Sequence, residues 1–85
     1  MSIITDEAIY ADTIDLINNQ TPFKAKHSFI MERGENYAIT IEVPSRGIPN
    51  EVTSLLADLD MKPVDVRMVK RASGSYGAKF LLATL

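Results

Sequence analysis

The sequence contains no cysteine and a single histidine, His27. Disulfide frameworks and thiolate chemistry are therefore excluded, as is any metal site built from several histidines. His27 shares an alternating face with Phe23 and Phe29, the setting of a core or edge histidine rather than a catalytic one. No run approaches the roughly twenty apolar residues of a membrane-spanning helix. Residues Met1 to Glu7 lack the basic start and apolar stretch of a secretory signal, so the chain reads as cytosolic with no membrane partner. No nucleophile, base and orienting group can be assembled from these residues. Asp12 and Asp15 read as helix surface charges rather than a paired acid and base. The expectation is a protein that is not an enzyme and carries neither cofactor nor metal.

What is present suits one small domain over residues 1–85, with an apolar fraction of 46% to build a core. Ile9, Tyr10, Thr13, Ile14, Leu16 and Ile17 recur at helical spacing, predicting a helix over Thr5–Asn19 with Thr5 as its N-cap. From Phe23 to Glu32 the period falls to two, which predicts a half-buried strand. Arg33-Gly34-Glu35-Asn36 supplies a turn, and Tyr37, Ile39, Ile41 and Val43 alternate along a second strand. Pro44 to Pro49 is a connection, with Pro49 suited to a first helical turn. Val52, Leu55, Leu56 and Leu59 then mark a second helix ending near Asp60. The last stretch, Pro63 to Leu85, is a hairpin with Ala72 to Gly77 as its loop and Phe80 to Leu85 as an apolar arm.

The order helix, strand, strand, helix, strand, strand predicts an α+β two-layer sandwich. Both helices would lie on one face of a four-stranded antiparallel sheet of order 1-2-4-3, a permuted ferredoxin-like arrangement. On this reading Phe23, Phe29, Tyr37, Ile39, Val64, Val66, Phe80 and Leu82 face the helices. The strand aromatics then all lie on the core side, and the open face lacks a stacking pair for bases.

The formal net charge of −2 conceals segregation. Asp6, Glu7, Asp12, Asp15, Glu51, Asp58 and Asp60 belong to the helical side, whereas Lys24, Lys26, Arg67, Arg71 and Lys79 emerge together on the open sheet face, opposed by Glu42 and Asp65. A one-sided concentration of lysine and arginine is the footprint of phosphate binding. The candidate RNA-binding residues are Lys24, Lys26, Arg67, Lys70, Arg71, Tyr76 and Lys79, with Tyr76 placed at the loop tip to stack on an unpaired base. Binding of this kind is backbone-directed and salt-sensitive. The structural counterpart is that basic edge strands also guard a sheet against edge-to-edge pairing. Gly74-Ser75-Tyr76-Gly77 has the spacing of a backbone-clamping GxxG loop but joins strands, and reads as a turn. An alternative function is a protein-interaction module or inhibitor that uses the acidic helices or an edge strand, including pairing of Phe23–Glu32 or Pro63–Arg71 edges in a homodimer.

With its basic hairpin Val64 to Lys79 on a small, acidic, cysteine-free chain without enzyme motifs, the sequence resembles the small accessory and counter-defence proteins of T4-like bacteriophages. Among these it is similar to the RNA-binding inhibitors of a host endoribonuclease toxin. The resemblance implies a protein of the host cytoplasm that binds both RNA and a toxin and blocks the toxin by association.

Overall fold

The structure, a computed structural model, describes residues 2–31 and 37–85. The elements are β1 (Ser2–Ile3), α1 (Glu7–Gln20), β2 (Lys26–Met31), β3 (Tyr37–Pro44), α2 (Asn50–Asp58), β4 (Met61–Lys70) and β5 (Tyr76–Thr84). The chain is α+β, with two helices against an antiparallel sheet. The sheet has five strands rather than four, because the short β1 adds to it. The expected turn Arg33 to Asn36 lies outside the described residues.

α1 begins one residue later than Thr5 would allow. Asp6 is the N-cap, and its Oδ1 accepts from the Ala8 N–H at 2.9 Å. Thr21 closes the helix by donating its N–H and its hydroxyl to the Ile17 carbonyl, at 2.9 and 2.7 Å. Asn18 then guides the chain toward the sheet, because its amide donates to the Ala25 carbonyl at 3.3 Å and accepts from the Ala25 N–H at 2.6 Å. α2 starts after Pro49, which is its N-cap rather than a first-turn residue and whose carbonyl accepts from Val52 and Thr53. The link to β4 is short enough to force Asp60 into the left-handed region at φ 57°.

Each strand pairs antiparallel with its neighbours: β2 with β3, β3 with β5, and β5 with β4. β4 runs along β5 from Tyr76 to Thr84, so β3 and β1 must share the other edge of β5. β3 covers Gly77 to Phe80 and β1 covers Ala83 and Thr84. Tyr10 fills the gap between them. Its hydroxyl donates to the Ile4 carbonyl at 2.8 Å and accepts from the Leu82 N–H at 3.3 Å. Burial pushes its pKa up, against a smaller lowering by the Leu82 hydrogen bond.

Tyr10, Ile14 and Ile17 of α1, Val52 and Leu56 of α2, and Ile41, Val43, Ala78, Phe80 and Leu82 of the sheet form one buried cluster. Phe23, Ile39 and Val66 pack at its margin. Three expected core residues do not join it: Val64 is exposed, and Phe29 and Tyr37 are 57% and 60% exposed. Phe29 and Tyr37 have the right strand parity but lie beyond the area that the helices cover, whereas Val64 falls at the register shift between Pro63 and Asp65, where Pro63 takes the place opposite Leu82.

Residues of the opposite sheet face are buried as well, including Ile30, Thr40, Glu42, Leu81 and Ala83. The sheet curls, and long side chains reach across neighbouring strands to cover that face.

Candidate nucleic-acid interface

Strand register sets the site. Lys26 of β2 lies opposite Glu42 of β3, Glu42 opposite Lys79 of β5, and Lys79 opposite Arg67 of β4. Four charged side chains therefore form one row across the face away from the helices. Arg71, just beyond β4, joins the row by reaching over β5 to hydrogen-bond the Glu42 carboxylate. Gly77 makes this possible, since a Cβ there would meet Oε2 of Glu42 at 3.2 Å and Cγ and Cδ at 3.3 Å. The space of one missing side chain is occupied by a carboxylate.

The ion pairs decide how the row looks from solvent. Lys26 Nζ lies 3.6 Å from Glu42 Oε2, yet the lysine side chain is 59% exposed and the glutamate 7%. Arg67 Nε binds Asp65 Oδ2 at 3.0 Å, with both side chains partly open. Lys79 arches over β3, and its Nζ donates to the Phe29 carbonyl at 3.0 Å. Glu42 is thus beneath the surface with Lys26 above it, while Asp65 stays partly open beside Arg67.

Lys70 and Tyr76 stand elsewhere. They are cross-strand partners at the end of the final hairpin, and alternation places them on the face that carries Ala78 and Phe80. Tyr76 is the first residue of β5 and not the tip of a loop; the reversal is made by residues 71–75, with the Arg71 N–H on the Ser75 carbonyl at 2.8 Å and Gly74 at φ 89°. The Tyr76 ring has Lys70 Nζ and Arg46 Cζ each 5.9 Å from its centroid. Arg46 was not among the expected residues. It arrives because Ser45 N–H bonds the Tyr76 carbonyl at 3.2 Å, which holds the connection after β3 beside β5. Nothing local to Arg46 signals this. Lys24 precedes β2 and does not belong to the row.

Phe29 and Tyr37 keep the helix-side parity expected of them, so they do not add an aromatic pair to the open face, but they are not buried. Phe29 and Tyr37, on adjacent strands, form an exposed edge-to-face pair with centroids 5.1 Å apart, and Lys79 Nζ stands 5.9 Å from the Phe29 ring. Cations therefore accompany exposed aromatic rings at two places.

The helical side differs in charge and in shape. Neither helix contains a lysine or arginine. A mainly apolar groove of about 400 Å³ runs between α1 and the end of β5, lined by Ile4, Ile9, Leu16, Leu59 and Leu85 with Asp12 and Asp60 at its margin. Among the described residues, no helix is long and apolar enough to cross a membrane.

Comparison with known proteins returns no family model, no curated protein and no solved structure that matches the chain. The functional reading therefore rests on its own residues.

Proposed function

We propose that the protein is a small non-enzymatic RNA-binding protein that takes single-stranded RNA along its basic row and final hairpin. The observation that carries this reading is the Tyr76 ring with Lys70 Nζ and Arg46 Cζ each 5.9 Å from its centroid, an aromatic ring accompanied by two cations. Bases stack on such rings whatever their identity, while the cations take the phosphates. Lys26, Arg67, Arg71 and Lys79 supply a second phosphate track above the buried Glu42, and Phe29 and Tyr37 add a second ring pair beside Lys79. We read the fold itself as a ferredoxin-like sandwich whose first strand has been moved to the end. The neighbours β2, β3, β5 and β4 support that reading.

The test is binding of labelled single-stranded RNA, duplex RNA and duplex DNA at two salt concentrations. Tyr76→Ala should weaken single-stranded RNA binding by roughly 1–3 kcal/mol, and Tyr76→Phe should retain it. Arg67→Glu with Lys70→Glu should abolish binding while leaving the Glu42–Arg71 pair, and hence the fold, intact. Unchanged binding in that variant sinks the proposal.

A second reading, a protein-interaction module, is favoured by the acidic helical side and its apolar groove. The resemblance to phage counter-defence proteins would place a host ribonuclease toxin there, with RNA on the basic row of the other face and at the hairpin end. Asp12→Lys combined with Asp58→Lys should then lose relief of toxin-induced growth arrest while keeping RNA binding.

A further inference from the structure

β4 is an edge strand whose hydrogen-bonding phase can be worked out. Leu82 accepts from the Ile4 N–H and donates to Tyr10, so its backbone groups point away from β4. In an antiparallel ladder the N–H and C=O of one residue point the same way and alternate along the strand. Phe80, Ala78 and Tyr76 therefore also point away from β4. Their partners Val66, Met68 and Lys70 must turn their own N–H and C=O outward. The Arg71 N–H on the Ser75 carbonyl sets the same phase independently. Among the described residues β4 pairs with β5 alone, so this outward row has no strand to receive it.

The side chains along the same segment are self-complementary. Val64-Asp65-Val66-Arg67-Met68 reads apolar, acid, apolar, base, apolar. We infer that β4 pairs antiparallel with β4 of a second copy of this chain, about a two-fold axis through Val66. That axis sets Asp65 opposite Arg67 of the second copy, and Arg67 opposite its Asp65. It also brings Met68, 42% exposed, toward Val64 of the second copy, 37% exposed and at the register shift of β4. Val66 meets Val66 as a hydrogen-bonded pair, since its backbone groups point outward. Asp65 and Arg67 then fall at the non-hydrogen-bonded positions, where side chains approach most closely. An axis one residue either way would oppose Asp65 to Asp65 or Arg67 to Arg67.

The ends of β4 confine the pairing to this stretch. Pro63 brings no N–H, the register shifts between Pro63 and Asp65, and Lys62 would meet Lys70 of the second copy. The opposite edge, β2, has the sequence Lys-His-Ser-Phe-Ile-Met and no acid to answer its lysine, so it lacks the same complementarity. This inference is independent of RNA binding.

The experiment is sedimentation of the RNA-free protein from micromolar to millimolar concentration, with wild type, Asp65→Arg, Arg67→Asp and the double exchange D65R/R67D. Each single variant places like charges opposite each other twice across the axis and should weaken dimerisation by about tenfold or more. The double exchange restores opposite charges and should restore the dimer. Amide hydrogen exchange gives a second readout: with rising concentration the Val66 and Met68 N–H groups should slow, whereas those of β2 should not change. A wild type that stays monomeric overturns the inference. So does a dimer that the single variants leave untouched, one that the double exchange fails to recover, or one without protection at Val66 and Met68.

Discussion

Removing one oxygen atom, Tyr10→Phe, should cost far more than its size suggests. The Tyr10 hydroxyl sits where β3 has left β5 and β1 has not yet taken its place, and it serves two backbone groups at once. The Leu82 N–H points away from β4, and Ile4, just after β1, supplies a donor for the Leu82 carbonyl but no acceptor for its N–H. Phenylalanine fills the same apolar volume, so no cavity opens. What is lost is the partner of a buried N–H and of a carbonyl. A buried group left without its hydrogen bond costs about 1–3 kcal/mol, so the pair should cost about 2–4 kcal/mol. A domain of this size has a total stability of roughly 5–10 kcal/mol, and the loss should lower Tm by roughly 10–25 °C. Urea unfolding followed by circular dichroism measures it. The pH dependence adds a second handle. Burial raises the Tyr10 pKa in the folded protein, so the folded state holds this proton more tightly than the unfolded chain, where tyrosine titrates near about 10. The associated stability is fully present below that value and is lost as pH rises through about 10 toward the higher folded pKa. Tyr10→Phe should flatten that alkaline decline. A cost below about 0.5 kcal/mol, or alkaline slopes identical in the two proteins, would refute the role assigned to the hydroxyl.

Four further outcomes follow from single side chains. Thr40 is buried with no hydrogen-bond partner for its hydroxyl among the described residues, so Thr40→Val should stabilise the protein by about 1 kcal/mol in the same unfolding assay. Gly77→Ala presses a methyl group onto a carboxylate held by Arg71 and Lys26. It should destabilise by about 1 kcal/mol, reversing the usual gain of alanine over glycine in a strand. Asp60 stands at φ 57°, where a β-branched side chain is strained; Asp60→Val should cost about 1–2 kcal/mol, whereas Asp60→Gly should fold at least as well as wild type by thermal melt. Glu42→Gln keeps the shape of the buried acid but removes its charge, so single-stranded RNA binding should tighten, most clearly at low salt, if the row of cations carries phosphates.

Much of the secondary structure was readable because it depends on local pattern. The spacing of Tyr10, Ile14 and Ile17 marked α1 and its buried stripe, and the alternation of Ile39, Ile41 and Val43 marked β3. Elements whose existence depends on distant partners were not readable. Ser2 and Ile3 are too few to show a period, and they form a strand only because β5 has a free edge beside them. Phe29 and Tyr37 have core parity, but parity says only which side a residue faces and not how far the helices extend over it. The same limit applies to the site. Lys26, Arg67 and Lys79 shared a face on alternation alone, and register then aligned them. Arg46 belongs to the Tyr76 cluster through a backbone hydrogen bond between segments thirty residues apart, roughly the separation at which local pattern carries no information.

The two sides of the sheet solve the same burial problem by different means, and this bears on the RNA reading. On one side, helices bring Val52, Leu56, Ile14 and Ile17 onto the strands. On the other, Lys79 and Arg71 reach across neighbouring strands to the Phe29 carbonyl and to the buried Glu42. Lysine and arginine stems can lie on apolar surface while their charges reach water, so cations here stabilise the fold whether or not they meet a phosphate. A charge count on this face is therefore weak support for a ligand. Tyr76 is different, because it lies at the hairpin end, outside the buried cluster, and has the Lys70 and Arg46 cations close to its ring. Stability and RNA affinity should accordingly separate: changes at Arg71 and Lys79 should alter both, while changes at Tyr76, Lys70 and Arg46 should alter affinity with little effect on Tm. If RNA affinity follows Tm across all five positions, the ring and its cations belong to the scaffold and the binding surface lies elsewhere.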